Sequence, residues 1–161
     1  MTRTPKQVGA YSRRKGSAFE REVALMFSNW TGLICRRTPM SGAYGSEWGL
    51  AGDLMFMSDE PPNFIIELKR REGWTWEGIL NGRGPIFKWW EKLNDECKLD
   101  PRKPEPILVF KKNRGEIWLG FRWLLSCPFV FDEPPAVTVR LPNVPITLCR
   151  AKDVSGWRVQ E

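Results

Sequence analysis

Histidine is absent from the 161 residues of this chain. Acid–base chemistry would therefore have to use carboxylates, lysine, tyrosine, cysteine or a metal-bound water. The four cysteines are scattered without a CxxC pair, and a structural zinc site is not expected from such spacing without histidine. We expect reduced and mostly buried thiols at Cys35, Cys97, Cys127 and Cys149.

Long apolar runs are also missing. No stretch approaches the roughly 20 apolar residues that a membrane span needs, and the basic N-terminus lacks the apolar segment of a signal peptide. We therefore expect no membrane partner and a cytoplasmic protein, in the host cytoplasm if it is viral. The composition, 42% apolar and 27% charged, is typical of a soluble globular protein with one domain.

Positive charge is concentrated at the start of the chain. Residues 1–37 contain eight lysines and arginines but two glutamates, so they carry the whole formal net charge of +6. Such an excess favours a polyanion partner, because lysine and arginine contacts to phosphate release counterions. Basic tails are common in other proteins, so charge alone does not identify nucleic acid.

The hydrophobic pattern predicts a mixed α/β (α+β) fold in the order α-β-β-β-α-β-β. Residues 1–12 are predicted to be a flexible basic arm, followed by a helix in which Ser17 and Glu20 form a possible capping box. The core spans residues 13–122, and residues 123–161 form a C-terminal extension packed on it. The predicted strands are LICRRTP, DLMFM, FIIELKR, ILVFKK and EIWLGF, with short extension strands near AVTVR and ITLCR, and IFKWWEKLNDECKL is the second helix.

The strand FIIELKR ends in charges that share one face. Alternation places Phe64, Ile66 and Leu68 on a core face, and Ile65, Glu67 and Lys69 on the other. A surface ion pair is the ordinary interpretation of Glu-x-Lys. However, Asp53 heads the preceding strand, and if the two strands pair, Asp53 and Glu67 converge at one end of the sheet.

Two convergent carboxylates beside a lysine suit a hard cation. Mg²⁺ prefers oxygen ligands and shares its remaining positions with water and substrate phosphates; Mn²⁺ is the expected substitute, and no small-molecule cofactor is expected. Such a metal would polarise a phosphate and activate water, while Lys69 would assist the attack.

The arrangement Asp53…Glu67-x-Lys69 resembles the PD-(D/E)xK nuclease core, with Gly52 in place of the proline. With its flanks, "RKGSAFERE", "RRTPMSG", "GD" and "IIELK", residues 12–121 resemble the archaeal-type Holliday junction resolvases. The matching residues are Arg14, Lys15, Gly16, Glu20, Arg21, Arg37, Ser41, Asp53, Glu67 and Lys69.

The resemblance implies a restriction-endonuclease-like nuclease core that works as a homodimer on branched, four-way DNA junctions. Glu20, Asp53, Glu67 and the backbone carbonyl of Leu68 would hold the metal, and the Ser41 loop would contribute to catalysis. Glu20 therefore has two interpretations, helix cap or metal ligand. The expected DNA contacts are Arg13, Arg14, Lys15, Arg21, Arg37, Ser41, Arg70, Arg71 and Trp74.

Other functions stay open at this point. The long interval between Ser41 and Asp53 and the segment after residue 122 depart from the smaller resolvases, so the choice of substrate is uncertain. A nuclease of the same fold acting on other branched or duplex DNA is the first alternative. A non-catalytic DNA-binding module and an RNA-binding protein are the others. The complete Asp53, Glu67 and Lys69 set argues against a non-catalytic module.

Overall fold

The first helix begins earlier than the sequence pattern predicts. The computed structural model describes residues 5–39, 52–122, 127–133 and 146–158, with side chains from residue 15 onward. In it α1 spans Pro5–Thr31, so the predicted flexible arm is wrong for residues 5–12. Proline suits a first helical turn because the N–H that it lacks would have no partner there. Ser17 lies inside α1 and does not cap its start.

A mixed four-stranded sheet forms the centre of the molecule. Its strands span Phe64–Arg70 (β3), Glu105–Lys111 (β4), Trp118–Phe121 (β5) and Thr147–Arg150 (β7). β3 and β4 are parallel, β5 runs antiparallel to β4, and β7 runs antiparallel to β5. The order along the sheet is β3-β4-β5-β7. The predicted mixed α+β class is confirmed, and the predicted strands ILVFKK and EIWLGF are present as the antiparallel pair β4 and β5.

Two small antiparallel sheets lie beside the central one. β1 (Cys35–Arg37) pairs with β2 (Leu54–Phe56), and β6 (Phe129–Phe131) pairs with β8 (Val154–Trp157) after a short 3-10 turn. Pairing of the strand after Asp53 with FIIELKR was the condition under which Asp53 and Glu67 were expected to converge. That condition is not met by a strand ladder, because β2 pairs with β1.

Helices cover both faces of the central sheet. α1 packs Phe19, Val23 and Phe27 into a core with Ile66 and Leu68 of β3. On the other face, α3 (Pro85–Leu99) buries its apolar side against Ile65 of β3 and against β4. Burial of Ile65 explains why strand FIIELKR begins as a continuous apolar run, since both of its faces are covered.

Two features were not predicted. A short helix, α2 (Trp76–Leu80), occupies part of the predicted loop, and the side chain of Thr75 caps it by accepting from the Gly78 N–H. Five residues are too few to show helical periodicity. The second is that the predicted extension, residues 123–161, contributes a strand to the central sheet, because β7, within the predicted strand ITLCR, pairs with β5. The predicted strand AVTVR lies outside the described residues.

The cysteines are free thiols, and Cys35, Cys97 and Cys149 are buried. Burial raises the pKa of Cys35 and of Cys97 to about 12, so these thiols stay protonated at neutral pH. Of the helices in the described part of the chain, none is both long and apolar enough to cross a membrane.

Candidate active site

The carboxylate and lysine at the end of β3 lie where alternation predicts. Glu67 and Lys69 are half-buried and lie on either side of the buried Leu68, near the end of the strand. The Lys69 ammonium donates to a Glu67 carboxylate oxygen. The two side chains therefore form an ion pair on the face of β3 that carries Ile65.

Asp53 reaches β3 through individual hydrogen bonds rather than a strand ladder. Its N–H donates to the Ile66 carbonyl at 2.8 Å, and its carbonyl accepts from the Thr38 N–H at 2.9 Å. Its carboxylate Oδ2 accepts from the Leu68 N–H at 2.8 Å. Asp53 thus binds the edge of β3 that β4 leaves free, so the predicted approach of Asp53 to Glu67 occurs by a different route.

Gly52 has a backbone conformation that explains the departure from the proline of the PD-(D/E)xK name. Its φ is +82°, which proline cannot adopt because its ring holds φ near −65°. A Cβ at this position would lie 2.8 Å from the Ile66 carbonyl oxygen. Only glycine therefore allows the chain to approach β3 closely enough for Asp53 to make its hydrogen bonds.

The Asp53 carboxyl is held in an environment that disfavours its charge. Burial, and then the negative charge of Glu67, raise the pKa of Asp53 from 3.8 to about 6, and Glu20 adds to the rise. The Leu68 N–H and the Lys69 cation oppose the shift but do not cancel it. Partly buried carboxylates that repel one another are the environment in which a bound cation would favour ionisation.

Glu20 faces the same region from α1. Its carboxylate accepts from the Arg37 guanidinium, and its charge acts on Asp53. Because α1 already extends for more than three turns before Glu20, this glutamate is not part of a capping box. The capping interpretation is therefore wrong, and the metal-ligand interpretation stays a prediction.

Within the described ranges, no three His, Cys, Asp or Glu side chains are grouped so that they could hold a metal ion as they stand. The Glu20 and Glu67 carboxylates point instead to Arg37 and Lys69. The donor chemistry still fits a hard divalent cation, since every candidate ligand is an oxygen. Burial and the neighbouring Glu67 raise the pKa of Asp53, so a bound cation would favour its ionised form.

The predicted DNA contacts differ in their surroundings. Lys15 and Arg70 are half-buried, Arg21 and Arg71 are exposed, and Arg37 is exposed although paired. Ser41 and the side chains of Arg13 and Arg14 lie outside the described residues. These assignments stay predictions.

The predicted contact of Trp74 with DNA is wrong, because this residue is buried. Its side chain is 5% exposed, and its ring packs edge-to-face against Trp76 and Phe110 with centroids 5.7 and 5.2 Å away. An indole enclosed in this way has no free face on which a base could stack. Its position next to a basic cluster suggested contact with DNA, but the fold uses it in the core under α3.

An ion pair that the sequence pattern did not predict attaches α1 to the sheet, between the buried Lys111 and the exposed Glu22. The Lys111 ammonium, at the end of β4, donates to both carboxylate oxygens of Glu22 at 3.1 Å. It also lies over the Phe19 ring. Because Glu22 is two residues from Glu20, this pair helps to fix where Glu20 lies. The partners are 89 residues apart, so no local pattern could have indicated it.

Comparison with known proteins agrees with this geometry. Residues 11–123 match the family described as "Phage putative PDDEXK endonuclease". The chain is also 33% identical to "Protein D14" of Escherichia phage T5 over 112 residues, which is 67% of this chain and 68% of that protein. No solved structure matches the chain. The matched segment contains the part of α1 from residue 11 onward, with Glu20, and also Asp53, Glu67 and Lys69. It therefore includes the acidic residues and the lysine of the candidate site.

Proposed function

The chain belongs to the PDDEXK endonuclease family of phages, and from this premise we propose that it is a metal-dependent endonuclease that resolves four-way DNA junctions by hydrolysing phosphodiester bonds. The observation that carries the proposal is the placement of Asp53 against the edge of β3, beside Glu67 and Lys69. This placement brings two acidic groups and a cation together at one point of the sheet, an arrangement that suits metal-assisted hydrolysis of a phosphodiester.

Each residue has a proposed role that its position supports. Asp53, Glu67 and Glu20 would hold a divalent cation, Mg²⁺ or Mn²⁺. The Leu68 carbonyl would join them, since the N–H and C=O of a strand residue project to the same edge and the Leu68 N–H meets Asp53. When bound, the cation supplies Lewis acidity toward the scissile phosphate.

Lys69 and Arg37 have complementary tasks. Lys69 is positioned by Glu67 and would orient the attacking water and offset the negative charge that develops on the phosphate. Arg37 is kept beside the site by Glu20 and would contact the DNA backbone once Glu20 turns to the cation. The basic residues of α1 would contribute further phosphate contacts, which set affinity rather than sequence preference.

The proposals that the protein selects four-way junctions and acts as a homodimer rest on the resolvase-like order of sequence motifs from Arg14 to Lys69. Two symmetric cuts require two sites, which one chain with one site supplies only as a dimer. A nuclease of the same fold acting on flaps, forks or duplex DNA shares the same local site, so the substrate must be decided by assay.

The direct test is to incubate the protein in Mg²⁺ with end-labelled four-way junction, flap and linear duplex of matched sequence. We expect paired cuts near the branch point of the junction and little cutting of the duplex. Asp53→Asn should remove cleavage while junction binding in EDTA remains. Equal cutting of all three substrates would refute junction selection, and cleavage by Asp53→Asn at the wild-type rate would refute the site assignment.

A further inference from the structure

A groove opens beside the end of β3, next to the candidate active site. Its volume is about 550 Å³, within the roughly 300–1,000 Å³ of pockets that hold small ligands. The walls come from the segment after β3 and from the beginning of α3. The residues that matter for its chemistry are Arg71, Glu72, Gly73, Pro85, Lys88 and Trp89.

The groove lies on the face of β3 that carries Glu67 and Lys69. The strand path continues to Arg71, whose N–H donates to the Lys111 carbonyl at 3.1 Å. Alternation therefore places Arg71 on the same face as Lys69, and this is the face that α3 covers. Two residues of strand span about 7 Å, or roughly two nucleotide steps along a DNA strand.

The walls combine cations with an aromatic ring. Arg71 and Lys88 are exposed, whereas Trp89 is half-buried, with part of its indole packed on the core under α3. Glu72 is the acidic member, but its carboxylate accepts from the Asn113 N–H, which turns it toward the β4–β5 turn. The charge presented to a ligand is therefore positive.

We propose that this groove binds an unpaired nucleotide of the DNA substrate, with the base stacked on Trp89 and the adjoining phosphates contacting Arg71 and Lys88. The proposal rests on the proposed nuclease function, because it takes DNA as the substrate. A cationic track with an aromatic platform is the combination that binds single strands without sequence preference.

The aromatic wall is what favours an unpaired nucleotide over continuous duplex. Bases within a duplex are already stacked on their neighbours, so they offer no free face to the Trp89 indole. Contacts to duplex phosphates are made by cationic and polar groups and do not need an aromatic ring. A nucleotide next to a branch point loses less stacking when it leaves the helix. The groove would thus help to hold branched substrates beside Lys69.

Binding without metal tests the groove separately from catalysis. Anisotropy of a fluorescein-labelled 20-nucleotide strand, free or fully paired, is measured in EDTA over a range of salt concentrations. Trp89→Leu, which keeps apolar packing on the core, should weaken single-strand binding by about 5- to 100-fold and duplex binding by less than about twofold. Lys88→Ala should lower the salt slope for the single strand by about 0.7.

Lys92→Ala is the matched control, since Lys92 is an exposed lysine one helical turn further along α3 that pairs with Glu96. It should change neither affinity nor salt slope. Wild-type single-strand affinity in Trp89→Leu, or a Lys88→Ala slope equal to that of Lys92→Ala, would overturn the proposal. A shift of Trp89→Leu from dimer to monomer on gel filtration, at unchanged affinity per chain, would assign the groove to a subunit interface and also overturn it. Failure of the nuclease proposal would appear instead as wild-type protein that does not cleave in Mg²⁺.

Discussion

Replacing Asp53 by asparagine should stabilise the metal-free protein at neutral pH while it removes cleavage. The pKa of Asp53 is raised from 3.8 to about 6 by burial and by Glu67, so its ionised form opposes folding. At about 1.36 kcal/mol per pKa unit, the penalty is about 3 kcal/mol above pH 7. Asparagine keeps an oxygen that can accept from the Leu68 N–H, but it loses the charge assistance to that bond.

The net gain should therefore be about 1–3 kcal/mol. For a chain of this length, 2 kcal/mol corresponds to a rise in Tm of roughly 4–8 °C. The assay is thermal or urea unfolding in EDTA, with Asp95→Asn as a control that removes an exposed carboxylate from α3. The control should stay within about 0.5 kcal/mol of wild type.

The pH dependence identifies Asp53 as the cause. A carboxyl with a raised pKa in the folded state contributes stability that is present below its ordinary value of 3.8 and is lost as pH rises through about 6. The gap between Asp53→Asn and wild type should open between these pH values and then stay constant. A variant that is less stable than wild type at pH 7.5 in EDTA, or a gap that does not change with pH, would refute the argument.

Four further predictions follow from the same geometry. Gly52→Pro introduces the proline of the PD-(D/E)xK motif. It should destabilise the protein and reduce cleavage, as Gly52→Ala should, because neither residue is compatible with a φ of +82°. Unfolding and cleavage assays check this, and a gain in activity would contradict it. Mg²⁺ should raise the Tm of wild type more than that of Asp53→Asn, and EDTA should abolish cleavage; equal shifts in calorimetry would argue against Asp53 as a ligand. Glu22→Gln should lower the free energy of unfolding by about 1–3 kcal/mol, because it leaves the buried Lys111 ammonium without its ion-pair partner. Lys111→Met should lower it less, because the exposed Glu22 carboxylate that remains can be solvated. The reverse order of stabilities in urea unfolding would refute this. Trp74→Phe should lower stability without changing DNA affinity in anisotropy, and a loss of affinity at unchanged stability would restore its predicted DNA contact.

Local patterns were sufficient for part of the fold. The spacing of Phe19, Val23 and Phe27 indicates a buried helix face, and the apolar run before Glu67 indicates a covered strand; both are present in the structure. Patterns failed where a short element or a distant partner decides the outcome. α2 is too short to show a period, and β2 pairs with β1 because tertiary contacts choose among strands of similar composition.

For the candidate site, the sequence by itself determined which groups are available. Without histidine, and with Asp53, Glu67 and Lys69 at these intervals, an oxygen-ligand hydrolytic site is the chemistry that fits, and alternation alone places Glu67 beside Lys69. Whether Asp53 could reach them was not fixed by alternation, because pairing between strands depends on the whole sheet.

The tertiary structure decided that Asp53 lies beside Glu67 and Lys69, and it determined how far the pKa of Asp53 is raised there. Positive φ at Gly52 brings Asp53 to the free edge of β3, and burial there raises its pKa. Tertiary packing also buries Trp74, which was predicted to contact DNA, and leaves Trp89 in the wall of a groove. Adjacent residues and alternating faces are properties of the local chain, whereas burial and contacts between distant residues arise only when helices and strands pack together.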